Sequence, residues 1–491
     1  MISLGWSVPF ALLLACTALL PLLAKHFWEK FYWAVALGLG LIPLVYYLII
    51  ARNLHPWLDE MQEYVSFIAL LGSLYIVSGG IYLGIKARGT PLANATLLII
   101  GAIIANIFGT TGASMLLIRP YLRMNAGRIR PHQIVFFIFI VANVGGALTP
   151  IGDPPLFLGY LQGVPFWWVL EHCQPMWWVT VCVLVSVFLV FEMIDTKKRP
   201  RLDTIGEQDG TTRVIGGHNF IFIAAILYAV FQNGLFEVIE ETHQHGFHAM
   251  TVLHLLHSRE VLMIATAVFS KVITHDEPYH RNEFSYGAIK EVAILFIGIF
   301  STMTPALQYL KENSKTNPLM QALHTPGQFY YATGGLSAVL DNAPTYLTFL
   351  NMELAKIEKE DIRLARETVD QMGARNSLSV PDNLPPVVRE ALTAMVAYHP
   401  NDILNRRVAD NELRVAFLVG NAGKSLLLVA VSLGAVFFGA CTYIGNGPNF
   451  MVKNIADAHG AESPSFIAFI VKYSLPILVP TFTLVWWLFL R

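Results

Sequence analysis

Ala147-Leu148-Thr149-Pro150-Ile151-Gly152-Asp153-Pro154-Pro155-Leu156-Phe157 lies inside an apolar run, yet it carries a carboxylate and three prolines. Gly145 and Gly146 stand just before it. Far downstream the chain reads Ala440-Cys441-Thr442-Tyr443-Ile444-Gly445-Asn446-Gly447-Pro448-Asn449-Phe450, matching at Ala, Thr, Ile, Gly, Pro and Phe with a constant offset of 293 residues. In a bilayer every backbone N–H and C=O needs a partner, so a helix broken at membrane depth survives only where it lines a cavity or is buried in protein. Two such breaks at corresponding places in two halves of a chain point to the binding site of a secondary transporter. The residues expected to make the breaks are Gly145, Gly146, Pro150 and Gly152 in the first copy, and Gly445, Gly447 and Pro448 in the second.

Composition agrees with a membrane setting. The chain has 491 residues, 55% hydrophobic and only 14% charged, against roughly 25% charged for soluble domains. Apolar runs near the length of a bilayer crossing recur, which reads as an all-α polytopic membrane protein in contact with lipid. A net charge of −1 argues neither for nucleic acid as a partner nor for a polybasic membrane-surface domain, and no nucleic acid is expected. Cys16, Cys173, Cys182 and Cys441 show no zinc or redox spacing and read as packing residues. The N-terminal apolar run lacks a basic leader and a cleavage site, so it reads as a retained helix.

Apolar spans are expected near 6–24, 32–51, 64–85, 94–118, 131–161 and 177–192, then near 220–238, 261–273, 292–310, 329–350, 415–443 and 466–490. Lys25 and Lys30, Lys86 and Arg88, Arg119 to Arg130, and Lys197 to Arg201 mark cytoplasmic loops by the positive-inside rule. Trp167, Trp168, Trp177 and Trp178, in a segment without Lys or Arg, read as an aromatic belt on the far side. Basic loops flank the 94–118 span on both sides, so it cannot simply cross. A re-entrant hairpin resolves the parity, with its tip at Gly109-Thr110-Thr111-Gly112-Ala113-Ser114. A second hairpin, over about 327–350, is expected to turn at Leu340-Asp341-Asn342-Ala343-Pro344-Thr345 and to enter from the opposite face, making the halves inverted repeats. The expected organisation is scaffold helices over 1–63, a first repeat over 64–193, a polar linker with connecting helices over 194–288, and a second repeat over 289–491. Within the second repeat a soluble-looking insertion occupies 351–414, and a broken helix follows over about 415–456.

Asp341 and Asp153 are the strongest site candidates, because a carboxylate at membrane depth usually faces a cavity and holds an ion or a proton. The alternative reading makes each a helix cap. Neutral oxygen donors gather at the same interruptions: Asn106, Thr110, Thr111, Ser114, Asn143, Thr149, Asn342, Thr345, Thr442, Asn446 and Asn449. Tips and breaks contain no Lys, Arg or His, which favours a cation or a proton over a multiply charged anion. The histidines at 243, 245, 248, 254 and 257 suggest a metal site or an interfacial pH sensor, without a clear third ligand or supporting acid.

Val141-Ala142-Asn143-Val144-Gly145-Gly146-Ala147-Leu148-Thr149-Pro150-Ile151-Gly152-Asp153 and Ser337-Ala338-Val339-Leu340-Asp341-Asn342-Ala343-Pro344-Thr345 resemble NhaD-type sodium/proton antiporters of the ion transporter superfamily, which also holds citrate, dicarboxylate and arsenite carriers. The resemblance implies a homodimer in the bacterial inner membrane, with a scaffold and an elevator-type transport domain built of two hairpins and two broken helices. It implies that Asp341 and Asn342 bind Na⁺ (or Li⁺) in exchange for protons, with Asp153 and Thr149 in a companion site and no cofactor besides the transported ions. Pro154-Pro155 and Asn446 depart from the antiporter pattern. A coupled carrier of citrate, a dicarboxylate or an oxyanion remains the alternative. An enzyme is not expected, since H-E-x-x-H and G-x-S-x-G are missing.

Overall fold

A computed structural model describes residues 2–84, 89–197, 213–232, 256–313, 322–340 and 342–491. Asp341 and the histidines at 243–254 lie outside the described residues. The chain is mostly helical, and among the described residues seven helices are long and apolar enough to cross a membrane. Their lipid-compatible faces are plain on His26–Ile50, where Leu37, Leu41, Leu48 and Ile49 are exposed. The same helix meets Gly287–Glu312 through small residues: a Cβ on Gly298 would lie 2.6 Å from the Ala36 carbonyl oxygen. Close backbone approach of this kind substitutes for the hydrophobic drive that lipid removes. Ser301 fixes the crossing by donating to the Gly40 carbonyl at 2.6 Å and accepting from Trp57 Nε1 at 2.8 Å.

One of the seven does not run straight. Pro91–Met124 is interrupted at Gly109, whose φ of 72° and ψ of 158° are open to glycine and costly for other residues. The chain folds back there, and the two ends of the segment meet. Gly89 N donates to Met124 O at 2.8 Å, and the Asn94 and Asn125 amides exchange hydrogen bonds at 2.9 and 2.8 Å. A second fold-back joins Pro326–Ser337 to Asn342–Ala355, its open end held by Lys356 Nζ donating to Leu323 O at 3.0 Å.

The two fold-backs open at opposite ends of the bundle. Near the first, Gln133 at the start of the first broken helix reaches Asn125 at 3.3 Å. A short ribbon, Tyr82–Gly84 against Arg213–Ile215, is tied there by Arg123 to the Leu83 carbonyl at 2.9 Å. At the other end, Gly163 closes on the backbone of Glu412, and Asn421 donates to Glu390 at 2.8 Å.

Several boundaries differ from expectation. The segment expected as one span over 415–443 is two helices, Asp410–Val419 and Ala422–Phe438. Val415, Phe417 and Leu418 are apolar because they are buried in protein, with Asp410–Val419 packed on Pro386–Tyr398. The insertion begins later than 351, since Asn351 is buried inside Asn342–Ala355. The tryptophan belt is only half a belt: Trp167 and Trp178 are exposed, whereas Trp168 and Trp177 are fully buried. Cysteine accessibility checks the arrangement. In a variant without native cysteines, Arg128→Cys and Asp382→Cys should react with an impermeant maleimide from opposite faces of sealed vesicles, and labelling of both from one face would refute it.

Candidate functional site

Both breaks are built in the same way. Helix Pro131–Ile140 ends, residues 141–153 run irregularly, and Pro154–Leu161 resumes. In the second half Ala422–Phe438 gives way at 439–446 before Gly447–Ala458. Thr149 Oγ1 donates to the Asn106 carbonyl at 2.6 Å and accepts from Gly152 N at 3.1 Å. Thr442 Oγ1 likewise donates to the Ala338 carbonyl at 2.7 Å and accepts from Gly445 N at 3.0 Å. Each threonine therefore staples a break to a fold-back tip and satisfies backbone that helix geometry has abandoned.

Glycine is required where the chain passes itself. A Cβ on Gly152 would lie 2.1 Å from Gly146 O, and one on Gly445 would lie 2.6 Å from Gly439 O. Gly145 packs on Ala102, and its carbonyl accepts from Asn106 Nδ2 at 2.8 Å and Trp177 Nε1 at 3.1 Å. Gly146 abuts the Thr110 methyl group, while Pro150 lines a cavity at the tip. Pro448 is buried in the first turn of its helix. Gly447 departs from expectation: it is exposed and has nothing within 4 Å of a Cβ, so neither close approach nor backbone conformation explains it.

The centre of the site is Asp153, with 1% of its surface exposed. It occupies the N-cap position of Pro154–Leu161, yet its side chain makes no capping bond. Pro154 and Pro155 have no N–H to cap, which leaves the carboxylate turned toward other elements. Thr110 Oγ1 donates to Oδ1 at 2.7 Å, Asn446 Nδ2 to Oδ1 at 3.1 Å, and Asn342 Nδ2 to Oδ2 at 2.5 Å. Each donor stands at the start of a helical segment: Thr110 just after the Gly109 break, Asn342 opening Asn342–Ala355, and Asn446 at the N-cap of Gly447–Ala458. With the helix that Asp153 itself precedes, four helix N-termini converge on one carboxylate and bring their partial positive charges to it. Asn446 Nδ2 also lies 3.2 Å from Asn143 Oδ1, and Asn143 donates to Asn449 Oδ1 at 2.6 Å, so the two breaks are knitted together.

The cluster has an unused oxygen. Asn342 Oδ1 is buried and has no hydrogen-bond partner among the described residues. A buried acceptor in that state costs on the order of 1–3 kcal/mol unless something fills it, and a cation shared with the Asp153 carboxylate would do so. Beside the cluster is a small cavity, walled by Phe67, Leu70 and Leu74 of His55–Gly79 and floored by Thr110, Thr111 and Asp153. The described site thus combines one carboxylate, amide and hydroxyl oxygens, and an apolar wall.

Thr110, Asn342 and Asn446 join Asp153 directly and Asn143 joins it through Asn446; Asn106, Thr149 and Thr442 shape the backbone around it. Thr111 lines the cavity. Ser114 is buried with its hydroxyl unpartnered among the described residues, and Thr345 is buried in the helix that Asn342 opens. Trp177 and the wall of His55–Gly79 escaped sequence reading, because tryptophan in an apolar helix and a plain leucine face carry no site signal by themselves. Substitution separates the two kinds of glycine. Gly152→Ala should abolish transport and lower stability by about 1–3 kcal/mol, whereas Gly447→Ala should change neither, as read by thermal unfolding of detergent-purified protein and by vesicle transport.

A family profile described as "Putative citrate transport" matches residues 1–490. No curated protein matches the chain.

Proposed function

The chain belongs to that citrate transport family, and we propose that it is a secondary active transporter in which Na⁺ and protons compete for the Asp153 pocket, giving Na⁺/H⁺ antiport. The observation that carries this reading is the buried Asp153 carboxylate held by neutral donors beside the unfilled Asn342 oxygen. Na⁺ takes oxygen ligands, and this pocket offers carboxylate, amide and hydroxyl oxygens in one place. A proton on Asp153 would remove the charge that attracts Na⁺, so the two occupants exclude each other. Asp341, adjacent in sequence to Asn342, would supply a second carboxylate, and Li⁺ would compete at the same oxygens.

Alternating access would come from motion of the fold-backs and broken helices against a scaffold that includes His55–Gly79. The apolar wall of Phe67, Leu70 and Leu74 supports this, because it offers a surface without polar bonds to break during sliding. Fold-backs that open at opposite ends of the bundle, and threonine staples repeated 293 residues apart, support an inverted repeat. The exposed apolar face of His26–Ile50 would meet lipid and the second protomer of a homodimer.

One observation favours the second reading, cation-coupled uptake of citrate or another carboxylate. Four converging helix N-termini can bind a substrate carboxylate as readily as they hold Asp153. The family's description points the same way.

Everted membrane vesicles carrying a pH-gradient dye distinguish the readings. Antiport requires that Na⁺ or Li⁺ collapse the gradient in wild type, and that Asp153→Asn or Asp341→Asn weaken the response by roughly 10- to 100-fold, the worth of losing contacts to a charged group. Failure of the cations together with Na⁺-dependent uptake of labelled citrate would overturn antiport and establish the carrier.

A further inference from the structure

Outside the transport site, the insertion brings together three side chains with metal-ligating atoms. His399 joins Pro386–Tyr398 to Pro400–Leu404, Asp402 follows one turn later, and Glu412 lies in the first turn of Asp410–Val419. His399 Nδ1 is 3.3 Å from Asp402 Oδ2 and 3.4 Å from Glu412 Oε1, and all three ligand atoms lie within 4.8 Å of one another. Each residue is half-buried. An imidazole Nδ1 carries at most one hydrogen and cannot serve two carboxylates well. From the geometry we infer that His399, Asp402 and Glu412 form a site for a divalent transition-metal ion of the zinc class.

The spacing suits such an ion. Zinc binds nitrogen and carboxylate oxygen at ~2.0–2.2 Å, which places tetrahedral neighbours ~3.3–3.6 Å apart, the range of the two His399 contacts. One imidazole with two carboxylates fits zinc better than calcium or magnesium. Glu412 is held for the purpose: its other oxygen, Oε2, accepts from Ala409 N at 3.0 Å. Orienting bonds of this kind to a ligand's free atom are typical of built metal sites.

The ion would act close to the transport machinery. Gly163, the turn just after Pro154–Leu161, packs so tightly on Glu412 that a Cβ there would lie 2.8 Å from the Glu412 Cα. Zinc on Glu412 would clamp the insertion against the helix that Asp153 precedes.

Calorimetric titration of the purified full-length protein with ZnCl2, and with MgCl2 for contrast, tests the site. His399→Ala, Asp402→Asn and Glu412→Gln should each bind one Zn²⁺ fewer than wild type. Zn²⁺ should raise the melting temperature of wild type more than that of any variant, and Mg²⁺ should do neither. The histidines at 243–257 are present in every protein, so zinc they take up cancels in the difference. If His399→Ala fails to fold, the near-isosteric Asp402→Asn and Glu412→Gln carry the test. Equal zinc stoichiometry in folded wild type and variants would overturn the site.

Discussion

A carboxylate that cannot reach bulk water organises the centre of this molecule. Placing Asp153 deep among apolar helices costs ~2.5–3.5 kcal/mol on membrane-insertion scales, and the surrounding architecture offsets that cost. Thr110, Asn342 and Asn446 each donate to it from a different helix start. Donors can converge in this way only if helices end at that depth. The two breaks and the two fold-backs are therefore aspects of one arrangement, in which helix termini are brought to a charge that continuous helices would leave unsolvated.

Irregular backbone at such depth creates its own requirement, and the staples meet it. Thr149 and Thr442 join each break to the tip of a fold-back, and Asn106 reaches both the Gly145 carbonyl and the Leu148 N–H. These bonds run between elements far apart in sequence, so neither break could hold its shape in isolation. Buried polar networks of this kind are stable when their members are satisfied and costly when they are not. The Asn342 oxygen, without a partner among the described residues, is conspicuous for that reason.

Around this polar centre the packing is of two characters. The crossing of His26–Ile50 with Gly287–Glu312 is close and hydrogen-bonded through Gly298, Gly40 and Ser301. The face that His55–Gly79 turns to the Asp153 cavity is instead a smooth row of Phe67, Leu70 and Leu74. A hydrogen-bonded crossing thus stands beside an apolar face whose contacts are of dispersion type. The insertion adds a third region, anchored by Gly163 against Glu412.

Much of this was legible before any coordinates. Low charge and recurrent apolar runs determined a polytopic helical protein, and basic residues on both sides of 94–118 marked a segment that could not simply cross. The repeated Thr-x-Ile-Gly marked both breaks, because a threonine staple and a glycine close approach are local needs that leave local residues. Sequence reading erred where burial imitates lipid exposure. The apolar residues from Val415 to Val419 looked like the start of a membrane span and pack instead on another insertion helix, and Trp168 and Trp177 looked interfacial and are buried. Hydropathy reports that a residue avoids water and is silent on whether lipid or protein replaces it. The sequence by itself thus determined where the chain had to leave regular helix, and that Asp153 at such a place had to find partners. Only the tertiary structure decided that Asn342 and Asn446 meet at Asp153, and that His399 meets Asp402 and Glu412, because partners joined across hundreds of residues are chosen by packing and leave no periodic trace in the chain.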